Sequence, residues 1–302
     1  MVLYDSVIYK FFRLTVFVMF CVMACGVSAQ QKAFQMPLIP TTLSTPAERA
    51  NYLAIHYWDL YDFSEETLSH SGRMSEQAFT DFISIMPYVT ERDSAFTQFV
   101  SRITDEKRVL RRFFDIAQKY LAEVASPVYN EPLYILFLQK LVESEKLKPS
   151  EREHYAYELK MACKNRVGEK AADFSFTMRN DKRGRLSRVE AEYLLLCFVD
   201  PECDACVEVK EALAASPVIG KMVDDGALKI LAVCVEGDQE VWRSSSLPKK
   251  WINAFDEKGD IFENQLYDIY TLPMLYLLNN DKIVLLKDVK VRFLEKYLSE
   301  LQ

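Results

Sequence analysis

Two cysteines separated by two residues are the part of this 302-residue sequence best suited to chemistry. Cys203 and Cys206 follow a strongly apolar run and open a segment with helical spacing. On the first turn of a helix this spacing brings two sulfur atoms within bonding distance, and the helix dipole and backbone N–H groups favour a thiolate at the first cysteine. We therefore expect Cys203 to attack a disulfide and Cys206 to resolve the mixed disulfide that results.

Three carboxylates lie beside this pair in the sequence: Asp200, Glu202 and Asp204. Like charge opposes thiolate formation and offsets the helix dipole. We therefore expect Cys203 to ionise only slightly more easily than an ordinary cysteine. The three acidic residues should tune the pair towards a reductant or a slow exchanger rather than a strong oxidant.

Other uses of the cysteines fit the sequence less well. A zinc site needs two further soft ligands, but Cys163, Cys197 and Cys234 are scattered singly on apolar faces and all three histidines precede residue 155. No metal is expected, and these three cysteines are interpreted as small, inert core residues. A purely structural Cys203–Cys206 disulfide is the remaining alternative, although such a short loop gains little chain-entropy stabilisation.

The elements that must position the pair form a mixed sheet with helices on its faces. Short apolar runs at 193–199 and 228–235 indicate buried strands, and runs at 274–278 and 283–286 flank a hairpin turn at 279–281. Amphipathic segments predict helices after Cys203, around Trp251, Ile252 and Phe255, and at the C-terminus. The resulting order is β-α-β-α-β-β-α.

The preceding half has helical periodicity throughout. Apolar residues recur with spacings of three and four from Leu53 to Leu141, and Asn130 is placed to cap one helix. Ser150 and Glu153 have the spacing of a capping box that would open the last helix. The fold class is therefore α+β in two domains, an all-α domain followed by an α/β domain.

Residues 166–302 resemble the thioredoxin-fold domain of TlpA-like and ResA-like envelope thiol-disulfide oxidoreductases. The similar stretches are VGEKAADF at 167–174, FVDPECDAC at 198–206 and the segment from Tyr270 to Leu278. The resemblance implies that Pro273 is cis and packs beside the redox pair, and that the Leu272 backbone pairs with a bound peptide. Glu202 replaces the family's usual tryptophan. The acid that the family often carries six residues from the first cysteine is replaced by Cys197 on one side and Val209 on the other.

The helical half resembles helical domains of unknown function that precede thioredoxin-like modules in Gram-negative envelope proteins.

At the N-terminus, Lys10 and Arg13 precede an apolar run from Leu14 to Ala24, which is typical of a signal peptide. Cleavage is favoured after Ala29, and the alternatives are a lipid anchor at Cys25 and an uncleaved membrane anchor. The predicted domains are a signal peptide at 1–29, a helical domain at 30–165 and a thioredoxin-like domain at 166–302. The protein should then be periplasmic or otherwise extracytoplasmic, or a membrane-anchored lipoprotein on the alternative processing, in a compartment where disulfides persist.

Composition narrows the function classes. The formal net charge of −7 argues against nucleic-acid binding, and no pair among the 8 glycines has phosphate-loop spacing, so no cofactor is expected. The sequence favours a thiol-disulfide oxidoreductase whose partners are protein thiols and disulfides and an upstream envelope electron donor. The alternative is a non-enzymatic binding or assembly module with a structural or vestigial disulfide.

Overall fold

The computed structural model describes residues 34–63 and 72–301. The chain divides into two compact units, Met1–Met36 and Pro37–Gln302, and the second contains both the helical and the sheet-forming regions. The predicted signal peptide, its cleavage site after Ala29 and the alternative anchor at Cys25 lie outside the described residues. Within the described part of the chain, no helix has the length and apolar character needed to cross a membrane.

The first region of the larger unit is helical. Its helices are α1 (Pro46–His56), α2 (Gly72–Ile85), α3 (Arg92–Ile103), α4 (Lys107–Ala117), α5 (Glu131–Glu143) and α6 (Pro149–Ala162). A single 3₁₀ turn, Met86–Tyr88, follows α2, and a π turn, Gln118–Ala122, extends α4.

Aromatic side chains fill the centre of this helical region. The ring of Trp58 stacks on Phe99 with centroids 4.8 Å apart and meets Phe113 edge to face at 5.4 Å. All three side chains are almost fully buried. Large rings bury much apolar area at a small cost in side-chain entropy. The apolar residues that are spaced three and four apart in the sequence therefore pack into a single core.

Two helix starts test the capping predictions. Asn130 caps α5 as predicted, because its side chain accepts a hydrogen bond from the Leu133 N–H at 3.0 Å. The capping box predicted at Ser150 and Glu153 is wrong. Helix α6 begins earlier, at Pro149, and the carboxylate of Glu151 accepts the Lys148 N–H at 3.0 Å. Proline is favoured at a first helical position, and this preference sets the start.

The second region is a mixed sheet covered by helices on its faces. In the described residues, the strands are β1 (Ser175–Met178), β2 (Arg183–Arg185), β3 (Tyr193–Val199), β4 (Leu228–Cys234), β5 (Ile252–Phe255), β6 (Met274–Asn279) and β7 (Val284–Lys287). They are arranged in the order β2-β1-β5-β4-β3-β6-β7. The helices are α7 (Asp204–Ala215), α8 (Pro217–Asp224), α9 (Gln239–Ser244), α10 (Asp260–Glu263) and α11 (Val291–Glu300).

The central strand β3 pairs in parallel with β4 and antiparallel with β6. Its side chains alternate between two cores. Leu194, Leu196 and Phe198 face one, whereas Leu195 and Cys197 pack with the apolar faces of α7, α8 and α11 in the other. A strand buried on both sides explains the uninterrupted apolar run in the sequence.

The sheet confirms the predicted fold class, with one correction and two additions. The helix predicted around Trp251, Ile252 and Phe255 is wrong, since Ile252–Phe255 forms β5, which pairs in parallel with β4. Strands β1 and β2 were not predicted. In each case the segment is only three or four residues long, so pairing with neighbouring strands determines its conformation more than its own periodicity does.

Polar contacts join the helical region to the sheet. The ammonium group of Lys287, at the end of β7, lies 2.9 Å from the Glu131 carboxylate on α5 and donates to the carbonyl groups of Ala162 and Lys164. Beside it, Asn165 donates to the Leu266 carbonyl at 2.8 Å. Lys287 and Glu131 are both largely buried, so this junction is an internal part of the fold.

Candidate functional site

Cys203 lies where β3 gives way to α7. It is the N-cap of that helix, its N–H donates to the Asp200 carbonyl at 3.3 Å, and its carbonyl accepts the Val207 N–H at 3.1 Å. The side chain is partly exposed and is a free thiol. At this position the unpaired N–H groups of the first turn and the helix dipole act on a solvent-accessible sulfur atom.

Cys206 lies one turn further along α7 and is buried, with 4% of its surface exposed. Its Sγ accepts a hydrogen bond from the Asp200 N–H at 3.4 Å. Burial raises the pKa of this thiol to about 12, and the neighbouring Cys203 and the Asp200 carboxylate add to the effect. The two cysteines therefore differ in access, with one thiol open to a substrate and the other held protonated behind it.

The loop before β6 lies against Cys203. The Leu272–Pro273 peptide bond is cis, as the resemblance implies. The Cys203 Sγ lies 3.8 Å from the Leu272 carbonyl oxygen, a distance at which the thiol donates a weak hydrogen bond. The structure thus places Cys203, Cys206, Leu272 and Pro273 together at one end of the sheet.

The three predicted tuning carboxylates are not equivalent. Asp200 is partly buried and accepts the Glu202 N–H at 2.9 Å. Burial raises the pKa of both Cys206 and Cys234, and the Asp200 charge adds to this effect. Glu202 and Asp204 are exposed to solvent, where water and salt screen their charge. Of the three carboxylates, Asp200 is therefore the one whose charge acts on Cys206.

A small apolar cavity of about 60 Å³ lies behind Cys206. Val209 and Cys197, which occupy the positions where the family often carries an acid, both line it. So do Trp242 and Asn253, whose side chains are joined by an Nε1–H to Oδ1 hydrogen bond of 2.6 Å. Sequence reasoning missed these last two residues, because the pairing of β5 with β4 places Asn253 at the cavity and Trp242 reaches it from α9.

The other described cysteines separate into two kinds. Cys197 and Cys234 are buried in adjacent strands, which confirms their interpretation as core residues. The same interpretation of Cys163 is wrong, since α6 ends at Ala162 and leaves Cys163 exposed as its C-cap. Within the described residues, no group of three or more histidine, cysteine or carboxylate side chains is arranged to hold a metal ion.

Comparisons with known proteins agree with this architecture. A family described as a domain of unknown function, DUF5106, matches residues 20–165. A crystal structure of a thioredoxin-like protein from Bacteroides caccae is 36% identical, with a TM-score of 0.73 over 90% of this chain and 99% of its own. No curated protein matches.

Shorter solved structures match the C-terminal region. A C-terminal domain of an uncharacterized protein from Bacteroides fragilis is 38% identical over 45% of this chain and 98% of its own, with a TM-score of 0.44. A thiol-disulfide oxidoreductase from Bacteroides fragilis is 24% identical over 44% of this chain and 100% of its own, with a TM-score of 0.36. The identity and coverage shared with the Bacteroides caccae protein show that this chain belongs to the same family of thioredoxin-like proteins.

Proposed function

We propose that the protein is an extracytoplasmic thiol-disulfide oxidoreductase that exchanges dithiol for disulfide with other proteins. The observation that carries this proposal is the arrangement of the two thiols on α7. Cys203 is partly exposed at the helix N-terminus, and Cys206 is buried one turn along with a raised pKa. Attack on a substrate needs an accessible sulfur, and resolution needs a second sulfur within reach of the first.

The exchange proceeds in two steps. The Cys203 thiolate attacks one sulfur of the client disulfide, forming a mixed disulfide and releasing the other client sulfur as a thiolate. Cys206 then loses its proton and attacks Cys203, which releases the second client sulfur. The client leaves as a dithiol, the pair is left as a Cys203–Cys206 disulfide, and two electrons have passed to the client.

The loop before β6 supplies the docking position for the client. The Leu272 carbonyl lies beside the Cys203 sulfur, and Pro273 follows it directly in the chain. Leu272 and Pro273 are partly exposed, so an extended client segment can approach them. We therefore assign substrate binding to the backbone at these two residues.

The local charge favours reduction of clients. A strongly oxidising pair needs a reduced form that is stabilised as a thiolate, whereas the partly buried Asp200 carboxylate places negative charge at this site. We expect an upstream electron donor in the envelope to return the pair to its dithiol form. A location outside the cytoplasm follows from the apolar leader with Lys10 and Arg13 before it.

Trapping of the mixed disulfide tests the proposal. In a Cys206→Ser variant of the full chain the second step is blocked, so Cys203 should accumulate as covalent adducts with client proteins. These adducts should disappear on addition of dithiothreitol and should be absent from a Cys203→Ser/Cys206→Ser variant. Non-reducing gels and mass spectrometry of the linked peptides measure this.

Cys163→Ser in the Cys206→Ser background is the matched control, because Cys163 is an exposed thiol remote from the pair in sequence. The adducts should persist in it unchanged. Their loss in that control, or their absence from Cys206→Ser itself in an envelope extract, would contradict the proposal. The second result would favour the non-enzymatic binding or assembly module.

A further inference from the structure

A second, much larger cavity lies between the helical region and the sheet. It has a volume of about 560 Å³. Its walls include residues of α5 and α6, of the segment that precedes β6, and of the end of β7. Cavities of roughly 300–1,000 Å³ are typical of sites that enclose an organic ligand. Neither region alone forms this space.

The lining is strongly acidic. Its carboxylates are Glu123, Glu131, Glu158, Asp268 and Asp288, and among the described residues that line it Lys287 is the only base. Lys287 is already engaged, because its ammonium group binds Glu131 and two backbone carbonyls. Five carboxylates against one lysine give the lining a negative formal charge in a partly enclosed space.

Two tyrosine hydroxyls in the lining have no hydrogen-bond partner in the part of the chain that the structure describes, which is an observation independent of the charge. Tyr134 on α5 and Tyr276 on β6 are 5% and 0% exposed, and neither hydroxyl makes a hydrogen bond within the described residues. Buried polar groups are nearly always paired, so an unpaired one needs an explanation. The negative charge of Asp268 acts on both phenols, which places the two rings and this carboxylate in one neighbourhood.

The raised pKa values of two lining carboxyl groups agree with a site that a cation would stabilise. Burial raises the pKa of Asp268, against which the Lys287 charge acts only partly, and burial likewise raises the pKa of Glu158. A bound cation would reverse this effect by favouring the ionised forms.

The cavity adjoins the redox pair through one short loop. Tyr270 and Met274 line the cavity, and Leu272, midway between them, lies against the Cys203 sulfur. Consecutive Cα atoms are about 3.8 Å apart, so each of these two lining residues is within about 8 Å of Leu272 along the backbone. A polypeptide docked at Cys203 can therefore extend a long side chain into the cavity.

We propose that this cavity binds the arginine or lysine side chain of a client polypeptide whose disulfide lies at Cys203. The inference rests on the proposed function and adds a preference for basic clients. A guanidinium group carries five N–H donors and no acceptor, which suits carboxylates and phenol oxygens together. The tyrosine rings around the cavity add a favourable surface for a cation. Arginine fits better than lysine, because it can reach several acceptors at once.

Binding is tested in the full chain with Cys203→Ser/Cys206→Ser, so that redox activity plays no part. The probes are a short peptide containing arginine and the same peptide with citrulline, a neutral analogue of similar shape. Calorimetry should show the arginine peptide binding about tenfold more tightly, which is typical of a hydrogen bond to a charged group. Asp268→Asn and, separately, Glu158→Gln should reduce this preference, and Glu153→Gln, an exposed acid on the same α6, should retain it.

Equal affinity for the two peptides, or an unchanged preference in both cavity variants, would overturn the proposal. N-acetylarginine amide, which has the side chain without the client, is the second probe. It should bind much more weakly than the arginine peptide, and equal binding would overturn the assignment to a polypeptide in favour of a free small cation.

Tyr134→Phe gives a readout that a merely structural residue would not give. Removal of an unpaired buried hydroxyl should leave the melting temperature of the unliganded protein unchanged or higher, while the affinity for the arginine peptide falls. A lower melting temperature with unchanged affinity would contradict the assignment. Reduction of a disulfide-linked citrulline peptide by the wild-type chain separately reports the redox function, so failure of one proposal is distinguishable from failure of the other.

Discussion

Two cavities of the described structure, one behind Cys206 and one beside Tyr270, differ in size, charge and origin. The cavity behind Cys206 holds about 60 Å³, is mainly apolar and is built entirely from the sheet region. The cavity beside Tyr270 holds about 560 Å³, is acidic and needs both regions. The first is lined by Cys206, whose pKa is raised by burial, whereas the second is lined by five carboxylates.

This difference separates two tasks that a redox protein must perform. An apolar wall controls protonation at the reacting sulfur, because desolvation disfavours the thiolate. A charged wall can discriminate between partners without touching the sulfur, because a like charge or an unpaired polar group penalises the wrong one. On the two proposals made above, the thioredoxin-like region would contain the reacting cysteines, and the helical region would contribute to the selection of clients.

The largest expected effect comes from opening the apolar cavity. Trp242 is 1% exposed, stacks on Phe255 at 5.1 Å and lines the space behind Cys206. We expect Trp242→Ala to lower the free energy of unfolding by about 4 kcal/mol, as large-to-small core substitutions do. Water entering the space should also lower the pKa of Cys206 from about 12 towards its ordinary value.

Urea unfolding measures the first effect, and the pH dependence of Cys206 alkylation in a Cys203→Ser background measures the second. Tyr88→Ala, which removes an aromatic side chain that is 72% exposed, serves as the control and should change stability by less than about 0.5 kcal/mol. An unchanged alkylation profile in Trp242→Ala would show that the apolar wall does not control protonation of Cys206.

A somewhat smaller effect is expected at the junction of the two regions. The side chains of Lys287 and Glu131 are each 11% exposed and lie 2.9 Å apart. Lys287→Met leaves the Glu131 carboxylate buried without this partner, so we expect a loss of about 3 kcal/mol in the free energy of unfolding. The change should also weaken the joint wall of the acidic cavity.

The Lys250–Asp224 pair is the matched comparison, because its atoms are 2.7 Å apart but both side chains are mostly exposed. Lys250→Met should cost less than about 1 kcal/mol. Similar losses in the two variants, measured by urea unfolding, would mean that burial of the junction adds nothing to stability.

The smallest expected effect has the opposite sign. Burial raises the pKa of Asp268 above its ordinary value of 3.8, so folding favours the protonated acid. The wild-type protein should therefore lose stability as the pH rises from about 3.8 through the raised pKa, and an amide avoids this loss. We expect Asp268→Asn to be the more stable protein at pH 7 and to show no advantage at pH values well below the ordinary pKa.

Urea midpoints of the two proteins at both pH values measure this difference. Asp281→Asn, at an exposed position in the β6–β7 turn, is the comparison variant and should change stability by less than about 0.5 kcal/mol. A less stable Asp268→Asn at neutral pH would mean that the Asp268 carboxylate is already stabilised by partners in the unliganded protein. The larger cavity would then not differ from the smaller one by holding a carboxylate without a stabilising partner.

The sequence was sufficient where one local pattern determines the structure. Strand β3 was predicted with its observed bounds, because an unbroken apolar run of that length matches a strand buried on both faces. The cap at Asn130 was predicted because a side chain three residues from its partner N–H acts within a single turn. The cysteine pair was recognisable for the same reason, since its spacing alone implies one helical turn.

Features that depend on distant residues were missed. Strand β5 exists because β4 and β1 lie on either side of it, and its four residues carry too little periodicity to reveal this. The acidic cavity joins Tyr134 and Glu158 to Asp268, more than a hundred residues later in the chain, so no window of sequence contains it. Cys163 was misassigned because a single residue beyond the end of a helix decides between core and surface.

The loop from Tyr270 to Met274 has a thermodynamic consequence. It borders both the acidic cavity and the Cys203 sulfur, so its conformational equilibrium is common to the two. If a ligand in the cavity changes the position of this loop, it changes the affinity at Cys203 by some factor, and linkage requires the reverse effect to have the same size. The reduced and oxidised forms of the cysteine pair would then bind the cavity ligand with different affinities. The ratio of those two affinities would equal the factor by which the saturating ligand changes the equilibrium constant between the two redox forms.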